Sequence, residues 1–108
     1  MYQLENYLTA EGRDPFKDWL ASLADRQARA RVVVRLGRVK GGNFGDCKPL
    51  RDGIHELRID HGPGYRVYYA RAGQRLVLLL IGGDKRRQDA DISRAVEYWE
   101  DWQRRNKQ

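Results

Sequence analysis

The stretch from Gly53 to Lys85, GIHELRIDHGPGYRVYYARAGQRLVLLLIGGDK, constrains the fold more than any other part of the chain. It holds three strand signals joined by two reversals. Ile54 to Asp60 alternates, with His55, Leu57 and Ile59 on one face and Glu56, Arg58 and Asp60 on the other. His61-Gly62-Pro63-Gly64 then combines residues that supply positive φ with one that fixes it, so the chain must turn sharply. Tyr65 to Ala70 alternates again, Val67 and Tyr69 opposite Arg66 and Tyr68, and Gly73 marks the second reversal. Leu76 to Ile81 is an unbroken apolar run, the pattern of a strand buried on both faces. Together they predict a meander with cationic side chains on one face.

The flanking segments read as its support. Tyr2 to Leu8 predicts a first strand, stopped by Glu11-Gly12. Asp14-Pro15 marks a helix start, because aspartate caps free N–H groups and proline suits the first helical position. Phe16, Trp19, Leu20 and Leu23 make one apolar stripe, and that helix should end near Ala24. A second helix is expected from Asp25 to about Lys40, with Ala28, Val32, Leu36 and Val39 inward. Arg31, Arg35 and Arg38 form a basic stripe beside them, read equally as a solvated face or as a partner contact. Gly41 to Gly45 is a loop, and Asp46 to Asp52 leads into the meander. After Lys85 comes a polar turn, Arg86 to Asp89. Asp89 or Asp91 is then expected to cap a final helix whose apolar face is Ile92, Ala95, Val96, Trp99 and Trp102. The order β-α-α-β-β-β-α describes one α+β domain, a small antiparallel or mixed sheet packed against helices.

Charge and cysteine usage narrow the function. The net charge of +6 favours an acidic partner: nucleic acid, an acidic protein or, least well matched, an anionic membrane. A single cysteine, Cys47, allows no internal disulfide, and no apolar run is long enough to cross a bilayer, so a cytoplasmic location is expected. His55, His61 and Cys47 are too few and too scattered for a standard zinc site, and no metal or cofactor is expected. Gly82-Gly83-Asp84-Lys85 lacks the Gly-x4-Gly-Lys-Ser/Thr pattern, and the next helix is expected too late for a phosphate loop. His55 shares the Leu57 face and reads as a packed structural residue.

What remains is cationic. Arg58 and Arg66 lie on adjacent strands and can point the same way, and Lys85 follows the third strand. Strands hold guanidinium groups with little entropy left to lose, and arginine binds phosphate oxygens in a planar, bidentate manner. Tyr68 offers a ring for stacking or an O–H for proton transfer. The plainer alternative pairs these cations with Glu56 and Asp60.

Four segments in order carry a family resemblance: PFKDWL at 15–20, DCKPLRDGIHELRI at 46–59, GPGYRVYY at 62–69 and LLLIGGDKRRQDADI at 78–92. The chain resembles the RelE/ParE superfamily of bacterial toxins, in particular the addiction-module killer or HigB-type branch. The resemblance implies a compact sheet-and-helix toxin held inactive by a small antitoxin, and a metal-independent mRNA endoribonuclease acting on the translating ribosome. ParE-like members share the fold and poison DNA gyrase instead. In the ribonuclease branch the arginine of Gly-Tyr-Arg, here Arg66, stabilises the attacked phosphate. Arg58 and Lys85 fall where that branch carries further cations. A tyrosine or histidine common at the start of the last helix is replaced here by Asp89, Asp91 and Ile92.

The expected reaction is attack of the RNA's own 2′-hydroxyl on the adjacent phosphate, leaving a 2′,3′-cyclic phosphate and a 5′-hydroxyl. Arg66, Arg58 and Lys85 would neutralise and position the phosphate, with Glu56 or Tyr68 moving protons. Lys48, Arg51, Arg86 and Arg87 are further cations for the RNA backbone. Trp99, Trp102 and the Arg31–Arg35–Arg38 stripe are expected to meet an antitoxin with acidic residues. The alternatives are a gyrase poison and a toxin-derived binding module without chemistry.

Overall fold

The computed structural model describes residues 1–107. Five strands form one sheet: β1 (Gln3–Asn6), β2 (Cys47–Pro49), β3 (Ile54–Ile59), β4 (Tyr65–Ala72) and β5 (Leu76–Asp84), in the order β1-β5-β4-β3-β2. The four later strands are antiparallel. β1 runs parallel to β5, from Gln3 beside Leu76 to Asn6 beside Leu79, so the sheet is mixed. Three helices accompany it: α1 (Pro15–Ser22), α2 (Arg26–Lys40) and α3 (Gln88–Arg105). The α+β architecture is the one read from the sequence, with β2 added at the edge.

Local chemistry explains the first two helix starts. The Asp14 carboxylate accepts from the Lys17 N–H with Pro15 at the first helical position, and Asp25 accepts from Gln27 and Ala28. α3 begins differently. Asp84 caps a 3₁₀ turn at Lys85–Arg87, and α3 continues from it at Gln88; Asp89 and Asp91 sit inside the first turn, where they favour the helix dipole without capping. The last helix therefore follows β5 almost at once, not late as expected. The phosphate loop stays excluded, since Gly82 and Gly83 are ladder residues opposite Val67 and Arg66.

Helices cover both faces of the sheet. α1 and α2 place Phe16, Ala28, Val32 and Val39 against Leu57, Val67, Tyr69, Val77 and Leu79. α3 places Ala95 and Val96 against Ile54, Tyr68, Ala70, Leu78 and Leu80. This corrects one expectation. The face carrying Glu56, Arg66 and Tyr68 is not an exposed cationic surface, because α3 lies on it; Glu56 is 1% exposed and Tyr68 is fully buried. β3 reads as amphipathic from its own residues, yet the apolar stripe of α3 needs that face for its own burial.

α1 and α3 also approach the backbone of β5 closely. A Cβ on Gly82 would overlap the Trp19 ring, and one on Gly83 would overlap the Asp91 carboxylate. The apolar run of β5 gives way to glycine where neighbouring side chains need the space.

Candidate anion-binding cleft

The β3–β4 turn and the end of β5 enclose an open cleft of about 540 Å³, lined by Asp46, Arg58, Asp60, Gly62, Pro63, Gly64, Arg66 and Lys85. Register brings its cations together. Arg58 lies directly opposite Arg66, and Arg66 opposite Gly83, two residues before Lys85. The Lys85 N–H donates to the Gly64 carbonyl at 2.9 Å, which ties the start of the 3₁₀ turn to the hairpin. Gly62 and Gly64 both have positive φ, 56° and 85°, as the tight reversal requires.

The three cations are held differently. Arg58 donates from Nη2 and Nε to Asp46 Oδ1, at 2.8 and 3.1 Å. Arg66 is largely covered, its side chain 14% exposed, with Nε 3.6 Å from Glu56 Oε2 and Nη1 donating to the Tyr65 carbonyl at 3.4 Å. Lys85 is exposed, and no ion pair holds it among the described residues. The expected pairing with Glu56 thus occurs for Arg66, whereas Arg58 takes Asp46 in place of Asp60. A cleft of this kind favours an anion that meets Lys85 and the edge of Arg66 and competes with Asp46 for Arg58.

Glu56 and Tyr68 stand behind the cleft, under the first turns of α3. Gln88 donates to Glu56 Oε2 at 3.1 Å. Burial first, then the neighbouring Glu56 charge, pushes the Tyr68 phenol well above its usual range, so it keeps its proton. Neither group lines the cleft, which corrects their expected place on an open face.

The other cations are dispersed. Lys48 lies on the edge strand β2 and is exposed; Arg51 pairs with Asp52 at 2.9 Å and donates to Ser93 Oγ at 3.2 Å. Arg86 pairs with Asp84 at 2.9 Å. Arg87 faces a separate recess with Trp19, Gly83, Asp91 and Arg94. Arg31, Arg35 and Arg38 line a groove of about 710 Å³ along α2, whose other wall includes Asp46, Ile59 and Asp60. Trp99 and Trp102 stack on each other at 5.6 Å, half-buried on the second core cluster. His55 stacks on Tyr69 at 5.3 Å, the packed role read from its position.

Two residues of the site were not singled out from sequence, Asp46 and Gln88. Asp46 precedes a strand of three residues too short to show alternation, and Gln88 lay in what read as a turn. Among the described residues no three His, Cys, Asp or Glu side chains come together to hold a metal, and no helix is long and apolar enough to cross a membrane.

The family pattern described as Phage derived protein Gp49-like (DUF891) matches residues 18–97, which include every lining residue of the cleft. That family is assigned to RelE-like toxins of toxin–antitoxin systems. A Haemophilus influenzae protein described as uncharacterized is 51% identical over 80 residues, 74% of this chain and 81% of that protein.

Proposed function

We propose that this chain, which belongs to the phage-derived Gp49-like family, is the toxin of a type II toxin–antitoxin pair and cuts mRNA on the ribosome. The observation that carries the reading is the convergence of Arg58, Arg66 and Lys85 on one cleft at the end of the sheet. In the proposed reaction the 2′-oxygen forms a bond to phosphorus, the bond from phosphorus to the 5′-oxygen breaks, and the 2′ proton is lost as the 5′-oxygen gains one. Charge grows on the phosphate oxygens, and preorganised cations there lower the barrier. Arg66 and Lys85 are assigned to those oxygens, and Arg58 to the adjoining backbone once phosphate displaces Asp46.

Among the described residues neither a histidine nor a tyrosine lines the cleft. Asp60 and Asp46 are the carboxylates at its rim, and the second is committed to Arg58. Such a site acts by charge and orientation, which suits a message the ribosome already holds in place. The antitoxin is assigned to the α2 groove, where Arg31 and Arg38 flank apolar Ala30, Val34 and Ile59, with the Trp99–Trp102 pair as a second contact. Val33 and Val34 are exposed to 57% and 54% on that helix, an unusual display of β-branched residues that a partner would cover.

Expression without an antitoxin tests the reading. Incorporation of labelled amino acids should stop within minutes while DNA gyrase stays free. Continued incorporation with gyrase trapped on DNA would replace ribonuclease by gyrase poison.

A further inference from the structure

Glu56 is a carboxylate buried in the sheet, and the proposed reaction does not use it. Among the described residues it is the one charged side chain in the core, 1% exposed beneath α3. Its Oε2 atom faces two groups. Gln88, the first residue of α3, donates to it at 3.1 Å, and Arg66 Nε stands 3.6 Å away. Arg66 Nε and the Tyr68 hydroxyl are also the two buried side-chain polar atoms that have no hydrogen-bond partner among the described residues. Both belong to neighbours of Glu56: Tyr68 is its cross-strand partner, and Arg66 lies on the same face of β4. Among the described residues the carboxylate paired with Arg66 meets the Nε side of its guanidinium, while Nη1 lies beside Gly64 of the cleft, 3.8 Å from where a Cβ on that glycine would stand.

From this arrangement we infer that Glu56 and Gln88 are positioning residues for Arg66. A buried charge of this kind is unfavourable unless paired, so the attraction draws the Arg66 head inward along its Nε edge. The terminal nitrogens are left toward the cleft, where a planar fork can take phosphate oxygens. Gln88 fixes the carboxylate that does the drawing, which couples the seating of the first α3 turn to the direction of Arg66. Glu56 itself cannot reach a substrate hydroxyl through the helix that covers it, so it acts through Arg66 and not as a base. The inference rests on the ribonuclease reading for its catalytic consequence, though not for the geometry.

The test uses the full chain and three variants: Glu56→Gln, which keeps shape and an acceptor but removes the charge, Gln88→Met, at the partly exposed helix start, and Arg66→Lys. One arm follows the Arg66 Nε–H signal by ¹⁵N NMR, assigned by its absence from Arg66→Lys. It should be protected from exchange in the parent, shift with inorganic phosphate, and lose protection in Glu56→Gln and Gln88→Met. The other arm measures cleavage of mRNA on programmed ribosomes. Glu56→Gln should lower kcat roughly tenfold or more with KM little changed, and should add no further loss in the Arg66→Lys background, as expected when two residues act as a unit. A merely structural Glu56 would give additive losses. If the signal keeps its protection in both variants, or if it is lost while kcat stays at the parental level, the positioning role is wrong. If the parent does not cleave RNA, the ribonuclease reading fails, and the NMR arm alone decides whether Glu56 and Gln88 orient Arg66. Should Glu56→Gln not fold, Gln88→Met carries both arms.

Discussion

Arg35 reaches from α2 to the sheet and donates two hydrogen bonds to a single acceptor, the carbonyl oxygen of Arg58, at 2.7 and 2.6 Å. The Arg58 N–H bonds to the Asp46 carbonyl at 2.8 Å, just before β2 begins, and the Arg58 carbonyl on that edge is satisfied by a side chain. Buried or half-buried backbone groups require such partners. One of the three arginines of the α2 stripe, read equally as a solvated face or a partner contact, is therefore structural.

Arg35→Ala should lower stability by about 1.5–3 kcal/mol, the usual range for hydrogen bonds from a charged donor. Arg31→Ala and Arg38→Ala, on the exposed side of the same helix, should stay within about 0.5 kcal/mol of the parent. Urea unfolding would separate them by midpoint at constant slope. Equal midpoints for all three would mean that the Arg35–Arg58 contact contributes nothing.

How much of this was legible in the sequence follows from how local each feature is. The cap at Asp14, the start of the second helix at Asp25 and the buried run of β5 depend on a few neighbouring residues, and each appears where it was read. Which face of β3 meets water does not depend on β3. Glu56 alternates with His55 and Leu57 as an outward residue should, but α3, more than thirty residues later, covers it. The cleft divides in the same way. Arg58 and Arg66 follow from strand alternation across one hairpin, whereas the Asp46 contact to Arg58 needs a three-residue strand containing Pro49 to find its edge. No pattern in so short a segment announces that pairing.

Two glycines should respond in opposite directions. Gly82→Ala drives a methyl group into the Trp19 ring and should cost about 1–3 kcal/mol by overpacking. Gly37→Ala, inside α2 with open space around the new methyl, should stabilise by roughly 0.5–1 kcal/mol through helix propensity. Thermal melts of the two single variants check both signs, and a harmless Gly82→Ala would contradict the close packing of α1 on β5.

Arg66→Ala is not the clean functional probe that an exposed arginine would be. It leaves Glu56 buried with the Gln88 amide as its side-chain donor among the described residues, at a cost of about 3 kcal/mol, the low end for breaking a buried pair because the guanidinium borders water. Arg66→Lys retains a cation and should melt closer to the parent while losing the planar fork for phosphate. Calorimetry on both variants distinguishes these effects; an Arg66→Ala protein as stable as the parent would show that the Glu56 contact is slack.

Asp91 makes stability depend on pH with a definite sign. Burial against Gly83 raises its carboxyl above the usual range, more than Arg87 and Arg94 counteract. The folded state then holds the proton longer than the unfolded chain, so this residue's contribution weakens as pH rises from the ordinary aspartate value through the raised one. Asp91→Asn should be more stable than the parent at neutral pH, and the gap should close in acid. Melting temperatures across that range decide it, and a gap that widens in acid would reverse the sign.

The most direct test of the account is cleavage of a defined mRNA by purified protein, with and without programmed ribosomes, followed by mapping of the ends. Cuts should appear only with ribosomes and leave 2′,3′-cyclic phosphate and 5′-hydroxyl termini. Arg66→Lys, which keeps the cation but loses one donor of the planar fork, should lower the rate about 10²-fold, the low end for removing a donor to developing charge. Intact message under both conditions, or the same cuts at the same rate from Arg66→Lys, would contradict the assignment of the Arg58–Arg66–Lys85 cleft.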